Sequence, residues 1–159
     1  MIAGVIGYAT VAVCFGVLNL IAGRHLLHTA AVLGHRLLGT LDSGNTVTIE
    51  PAPIFVYNGL HLVLFLVVGL LASWVVFKLE KYPQLWYLVL FLALFVFFHT
   101  IGVVLAFVEP VTNAVPMWTT LLVSLAAVLM MGGYLWVAHP RLRREVRRLG
   151  DFEDPVKPL

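Results

Sequence analysis

The chain has 159 residues, 61% of them apolar, with ten basic and eight acidic side chains and a formal net charge of +2. A water-soluble domain of this length would carry about twice as many charges, near a quarter of all residues. Composition therefore excludes an ordinary soluble globule, and no nucleic-acid partner is expected. The apolar residues fall in four long blocks, at residues 2–22, 53–77, 85–108 and 117–138. At 1.5 Å per residue each reaches roughly the 30 Å of a hydrocarbon core, and the short alternating segments of a β-barrel are absent. The expectation is an all-α integral membrane protein, one domain folded as a bundle of four transmembrane helices.

The first block has no basic stretch before it, and Val13 stands where a lipoprotein signal before Cys14 wants a small residue, so an uncleaved helix is expected. Cys14 is the single cysteine, which leaves no internal disulfide to read. Gly16, Asn19 and Gly23 share a face of this span with Ala12. Small residues at that spacing let helix backbones approach closely, and an amide can bond across the contact.

Residues 24–41 differ in kind. At 100° per residue His25, His28, His35 and Arg36 fall on one stripe, with Leu26, Ala30, Leu33, Leu37 and Leu41 opposite. This predicts an amphipathic helix, either lying on the outer membrane surface or extending the first span outward, with its histidines in water. The His-x-x-His spacing also admits zinc or copper held by His25, His28 and His35. Asp42-Ser-Gly-Asn45 then forms a turn, residues 46–50 have strand-like composition, and Pro51 and Pro53 open the second span.

Short connections after Lys81 and Glu109 make spans two, three and four sequential neighbours. Trp86, Tyr87, Trp118, Tyr134 and Trp136 fall near predicted membrane boundaries. With the N-terminus inside, Lys78, Lys81 and all six cations of the tail lie on the inner side, against Arg24 and Arg36 outside. The positive-inside rule selects this orientation, with both termini cytoplasmic, in a bacterial or organellar inner membrane. The tail, residues 139–159, begins with Arg141, Arg144 and Arg148 at helical spacing, predicting a short basic helix on the cytoplasmic surface.

Two histidines stand inside spans. His61 and His99 each fall about 12 Å below the outer boundary at 1.5 Å per residue, on adjacent antiparallel helices. Asn58 shares the face of His61, while Gly102 and Ala106 share that of His99 and thin the helix there. Two imidazoles in one layer suit the axial ligation of a b-type haem or a hydrogen bond to a quinone head group. The plainer reading is interhelical hydrogen bonding that fixes register. No carboxylate lies deep in a span, and no phosphate loop or nucleophile motif is present.

The leading expectation is a non-catalytic accessory subunit of a larger multi-subunit membrane complex, possible settings being respiratory or photosynthetic electron transfer. Its partners are then the bilayer and other membrane subunits. The second is a small cytochrome b-like or quinone-binding subunit using His61, His99 and Asn58. A third, weaker one is an oligomeric channel or small-solute transporter.

Overall fold

A computed structural model describes residues 1–40, 47–108, 117–141 and 143–144, with backbone alone at 83, 86, 99–101, 103–108 and 117. Among these residues all regular structure is helical. There are five α-helices: α1 (Ile2–Ile21), α2 (His28–Leu38), α3 (Pro51–Lys81), α4 (Tyr87–Val108) and α5 (Met117–Ala138), with a 3₁₀ turn at Pro83–Trp86. Three of them, α1, α3 and α5, are long and apolar enough to cross a membrane. In α4 the described apolar stretch is Tyr87–Phe98.

Two glycines stop the first two helices in the same way. Gly23 and Gly39 have φ of +68° and +66°, a left-handed conformation that costs glycine little. Each lets the chain double back, so that Gly23 N–H donates to Leu20 O and Arg24 N–H to Asn19 O, while Gly39 N–H donates to Arg36 O and Thr40 N–H to His35 O. Both are Schellman closures, which satisfy helix carbonyls that have no partner further along the chain. At the start of α3, Glu50 is extended and a proline occupies the first turn, where a missing N–H costs nothing.

The centre of the bundle is α1, which runs antiparallel to both α3 and α5. Ala3 packs with Ala72 and Val76 of α3 and with Met131 and Leu135 of α5. Further along, Val11 packs with Val123 and Ala127 of α5. At the α1–α3 crossing glycine meets glycine: a Cβ on Gly69 would stand 2.6 Å from Gly4 Cα, and one on Gly4 would stand 2.9 Å from Leu66 Cα. Such small-residue contacts are how helices associate in lipid, where burial of apolar surface no longer favours one neighbour over another. Helix α2 lies across α3 by the same device, since a Cβ on Gly34 would stand 2.9 Å from Pro53 Cα. Helix α4 sits at the edge, lightly held against α3 and α5, with Leu92 joining the Ala3 cluster.

The segment between α1 and α3 departs from its sequence reading in two ways. The helix spans His28–Leu38 only, and His25 precedes it in a turn. Its histidine stripe is also split. His35 is buried against the bundle with Thr29, Ala31, Val32 and Gly34, while His28 and Arg36 are half-buried, as are Ala30, Leu33 and Leu37 opposite, and Leu38 is exposed. The rule that leucines turn inward assumes water outside. Where hydrocarbon can cover leucine, threonine and histidine gain more by turning toward protein partners.

Candidate functional site

Several polar side chains of the bundle interior collect where α1 from Tyr8 to Asn19, the turn before α2 and the N-terminal half of α3 meet. They line a pocket of about 50 Å³ whose walls include Tyr8, Asn19, Thr29, Tyr57, Asn58 and His61, with Val11, Phe15 and Leu26 as apolar wall. Asn19 closes one end. It is 5% exposed, yet its amide is satisfied twice: Nδ2 donates to Leu26 O at 3.0 Å, and Oδ1 accepts from Thr29 Oγ1 at 3.0 Å. One side chain thus ties α1, the turn and α2 together. Gly16, one turn back, lets Leu26 lie close, as a Cβ there would stand 2.9 Å from its Cδ1.

On the opposite wall Tyr8 Oη donates to Asn58 Oδ1 at 3.2 Å, and Asn58 Nδ2 donates to Ile54 O at 2.9 Å. His61 is caged by rings. Tyr57 stacks on it at 5.1 Å between centroids and 21° between planes, Phe65 meets it edge-on at 5.0 Å, and Tyr8 is tilted at 6.2 Å. Tyr57, His61 and Phe65 recur every four residues, so one turn of α3 stacks each ring on the next. Asn58 therefore orients Tyr8 beside His61, and Tyr8 and Tyr57 are the two site residues absent from the sequence expectation.

The pocket is small for a cofactor. Sites that enclose a drug-sized organic ligand run to roughly 300–1,000 Å³. The present volume suits a few ordered water molecules, each needing about 10–15 Å³ and two or more polar partners. A porphyrin or a quinone ring beside His61 would have to displace Tyr8 and Tyr57. The side chains of His99 and Ala106 lie outside the described residues; their backbone is in α4, and a Cβ on Gly102 would meet no described atom.

The three outer histidines are not brought together. His25 Nδ1 accepts from the N–H of Leu27, two residues on. His35 is buried, with Nδ1 2.9 Å from Thr40 Oγ1 and Nε2 3.1 Å from Thr48 O. A carbonyl only accepts, so Nε2 carries the proton and His35 pins the chain on either side of the 41–46 segment. His28, between them in sequence, has its pKa lowered from the usual 6.5, chiefly by burial and then by the nearby charges of Arg24 and His25. Among the described residues no three His, Cys, Asp or Glu side chains are placed to hold a metal ion.

Gly23 has open space where a Cβ would be and serves as the left-handed stop of α1. Arg141 and Arg144 stand in helical backbone following α5, and Arg148 lies outside the described residues. A contact absent from the sequence reading joins the two helix ends there: His139 Nδ1 and Glu80 Oε1 are 3.0 Å apart. No family model, curated protein or solved structure matches the chain.

Proposed function

We propose that the chain is a non-catalytic accessory subunit of a larger membrane complex, crossing the bilayer four times through α1, α3, α4 and α5 with both termini on the cytoplasmic side. The crossing number is supported by direction. Helices α3 and α5 both run antiparallel to α1, so they run the same way, and the chain must return between Lys81 and Met117. Helix α4 has 22 residues, about 33 Å at 1.5 Å each, which matches that return. The charge distribution supports the orientation, since Lys78, Lys81, Arg141, Arg143 and Arg144 gather at one end of the bundle.

The observation that carries the subunit reading is the asymmetry of packing. Helices α1, α2, α3 and α5 are locked by glycine crossings and by a saturated amide. Helix α4 turns Phe91, Leu94, Phe95 and Phe98 outward and contributes Leu92 to the core. Van der Waals packing is the main force between helices in lipid. The described side chains of α4 gain little of it inside the bundle, which leaves Phe91, Leu94 and Phe98 to pack against a neighbour. Six polar side chains round a water-sized pocket serve the integrity of such a scaffold.

The test is extraction in a mild detergent followed by native electrophoresis. The chain should migrate with larger partners, and Phe91→Ala/Leu94→Ala/Phe98→Ala should release it without altering unfolding of the isolated bundle. A wild-type chain that leaves the membrane as a stable, monodisperse lone bundle would overturn the proposal.

A further inference from the structure

Where α3 and α5 end side by side, one contact controls the chemistry. Glu80 is the one carboxylate among the described residues at this end, and it is engaged by His139 at 3.0 Å. The cations on either side of that clasp are left in excess: Lys78 and Lys81 in the last turn of α3, and Arg141, Arg143 and Arg144 directly after α5. Two of them are aimed by aromatic rings, with Lys78 Nζ 5.5 Å from the Trp74 ring centroid and Lys81 Nζ 5.5 Å from that of Tyr82. Just inside this cationic rim the surface is apolar and open, with Phe77 61% and Val137 68% exposed.

We propose that this seam binds the headgroup of an anionic phospholipid. The phosphate sits among the lysines of α3 and the arginines after α5, and the acyl chains lie along Trp74, Phe77 and Val137. The pairing of charge with adjacent bare hydrocarbon surface selects an amphiphile. An acidic soluble protein would use the cations but would leave Phe77 and Val137 uncovered. Because the cations come from two helices, the site depends on the Glu80–His139 clasp to hold its halves in register. The proposal rests on the membrane placement of these helices and is independent of any protein partner.

Native mass spectrometry of the isolated full chain, released from micelles containing equal phosphatidylglycerol and phosphatidylcholine, tests it. Phosphatidylglycerol should be retained at least tenfold over phosphatidylcholine. A juxtamembrane cation contributes roughly a fivefold factor, so Lys78→Gln/Lys81→Gln and Arg141→Gln/Arg144→Gln should each lower that ratio by an order of magnitude. Lys78→Arg/Lys81→Arg should restore it, which separates lost charge from lost folding. His139→Ala keeps every lysine and arginine and should still lower the ratio several-fold. Arg36→Gln, at the opposite end, should leave it unchanged. Equal retention of both lipids, an effect of Arg36→Gln as large as that of the lysine pair, or full retention in His139→Ala would each overturn the site. Loss of a protein partner from the lysine variants with the lipid ratio intact would overturn it in favour of an acidic protein surface. The native-gel migration of the complex is read separately, so either proposal can fail while the other stands.

Discussion

Gly69→Ala sets two known effects against each other at one atom. The added Cβ would stand 2.6 Å from Gly4 Cα, with the backbone nitrogen of Gly4 nearer still. Carbon atoms in contact prefer about 3.5–4.0 Å, so the helices must part by roughly 1 Å. Both neighbours are backbone, and neither can rotate aside. A gap of that size forfeits a quarter to a half of each contact's attraction across the crossing. Overpacking of this kind costs about 1–3 kcal/mol. Against it stands the better helix propensity of alanine, about 1 kcal/mol. The net expectation is destabilisation of about 1 kcal/mol, within a range of about 0–2. Gly133→Ala provides the opposite case, because a Cβ there meets no described atom and only the propensity gain remains. Equilibrium unfolding by rising mole fraction of SDS in mixed micelles, followed by circular dichroism, reads both. If Gly69→Ala stabilises the protein as much as Gly133→Ala does, the glycine crossing does not hold α1 to α3.

Three further outcomes are expected. Asn19→Ala leaves the Leu26 carbonyl and the Thr29 hydroxyl without their partner and should cost about 1–3 kcal/mol in the same unfolding assay; Thr29→Val should cost less, since one bond is lost instead of two. For His28 the folded pKa lies below 6.5, so as pH falls through 6.5 the unfolded chain takes up a proton that the folded chain resists. Its contribution is therefore intact above pH 6.5 and is lost as pH falls toward the lowered value; NMR titration of the ring should show the depressed midpoint, and Arg24→Gln should move it up in part, leaving the larger effect of burial. Gly34→Val should push α2 off Pro53, detected as faster amide exchange through His28–Leu38, with the exchange of α5 unchanged.

Much of the helical frame was legible because length and hydropathy are one-dimensional. Residues 2–22 and 117–138 match α1 and α5 within a residue, and the second span differs because α3 begins two residues earlier at Pro51 and continues in polar sequence to Lys81. The packing was less legible. Gly16, Gly23 and Gly102 drew attention as small residues on a face, yet the backbones meet at Gly4, Gly34 and Gly69. A stripe of small residues says where a helix can approach another, and only the partner's surface decides where it does. A hint was present in Gly69-x-x-x-Ser73, a small-x-x-x-small spacing on the face that meets α1. Gly23 had a different signal, since it follows the last apolar residues of the span as a helix-stopping glycine does. His61 could be placed by depth, while its ring neighbours could not. Tyr8 lies 53 positions away, and its approach follows from the crossing angle of α1 on α3.

The inward placement of Thr29 and His35 on α2 bears most directly on how such a chain works. In water, apolar burial outweighs the small net gain of a hydrogen bond, so leucines decide which face turns inward. Against hydrocarbon the leucines are indifferent, and a hydroxyl or imidazole without a partner costs several times what a misplaced leucine does. The bundle as a whole divides its apolar residues by size. Only 28%, 22% and 22% of the most apolar stretches of α1, α3 and α5 are buried inside it, while Asn19, Thr29 and His35 are among its most buried side chains. Small apolar residues and glycines pack the centre, the buried polar groups tie its helices together, and the large apolar side chains form the outer face toward lipid and neighbouring helices. On that division a polar-to-apolar change such as Asn19→Leu should loosen the bundle, and an apolar-to-small change on α4 should spare the bundle and weaken its assembly. Few soluble proteins would separate the two so cleanly.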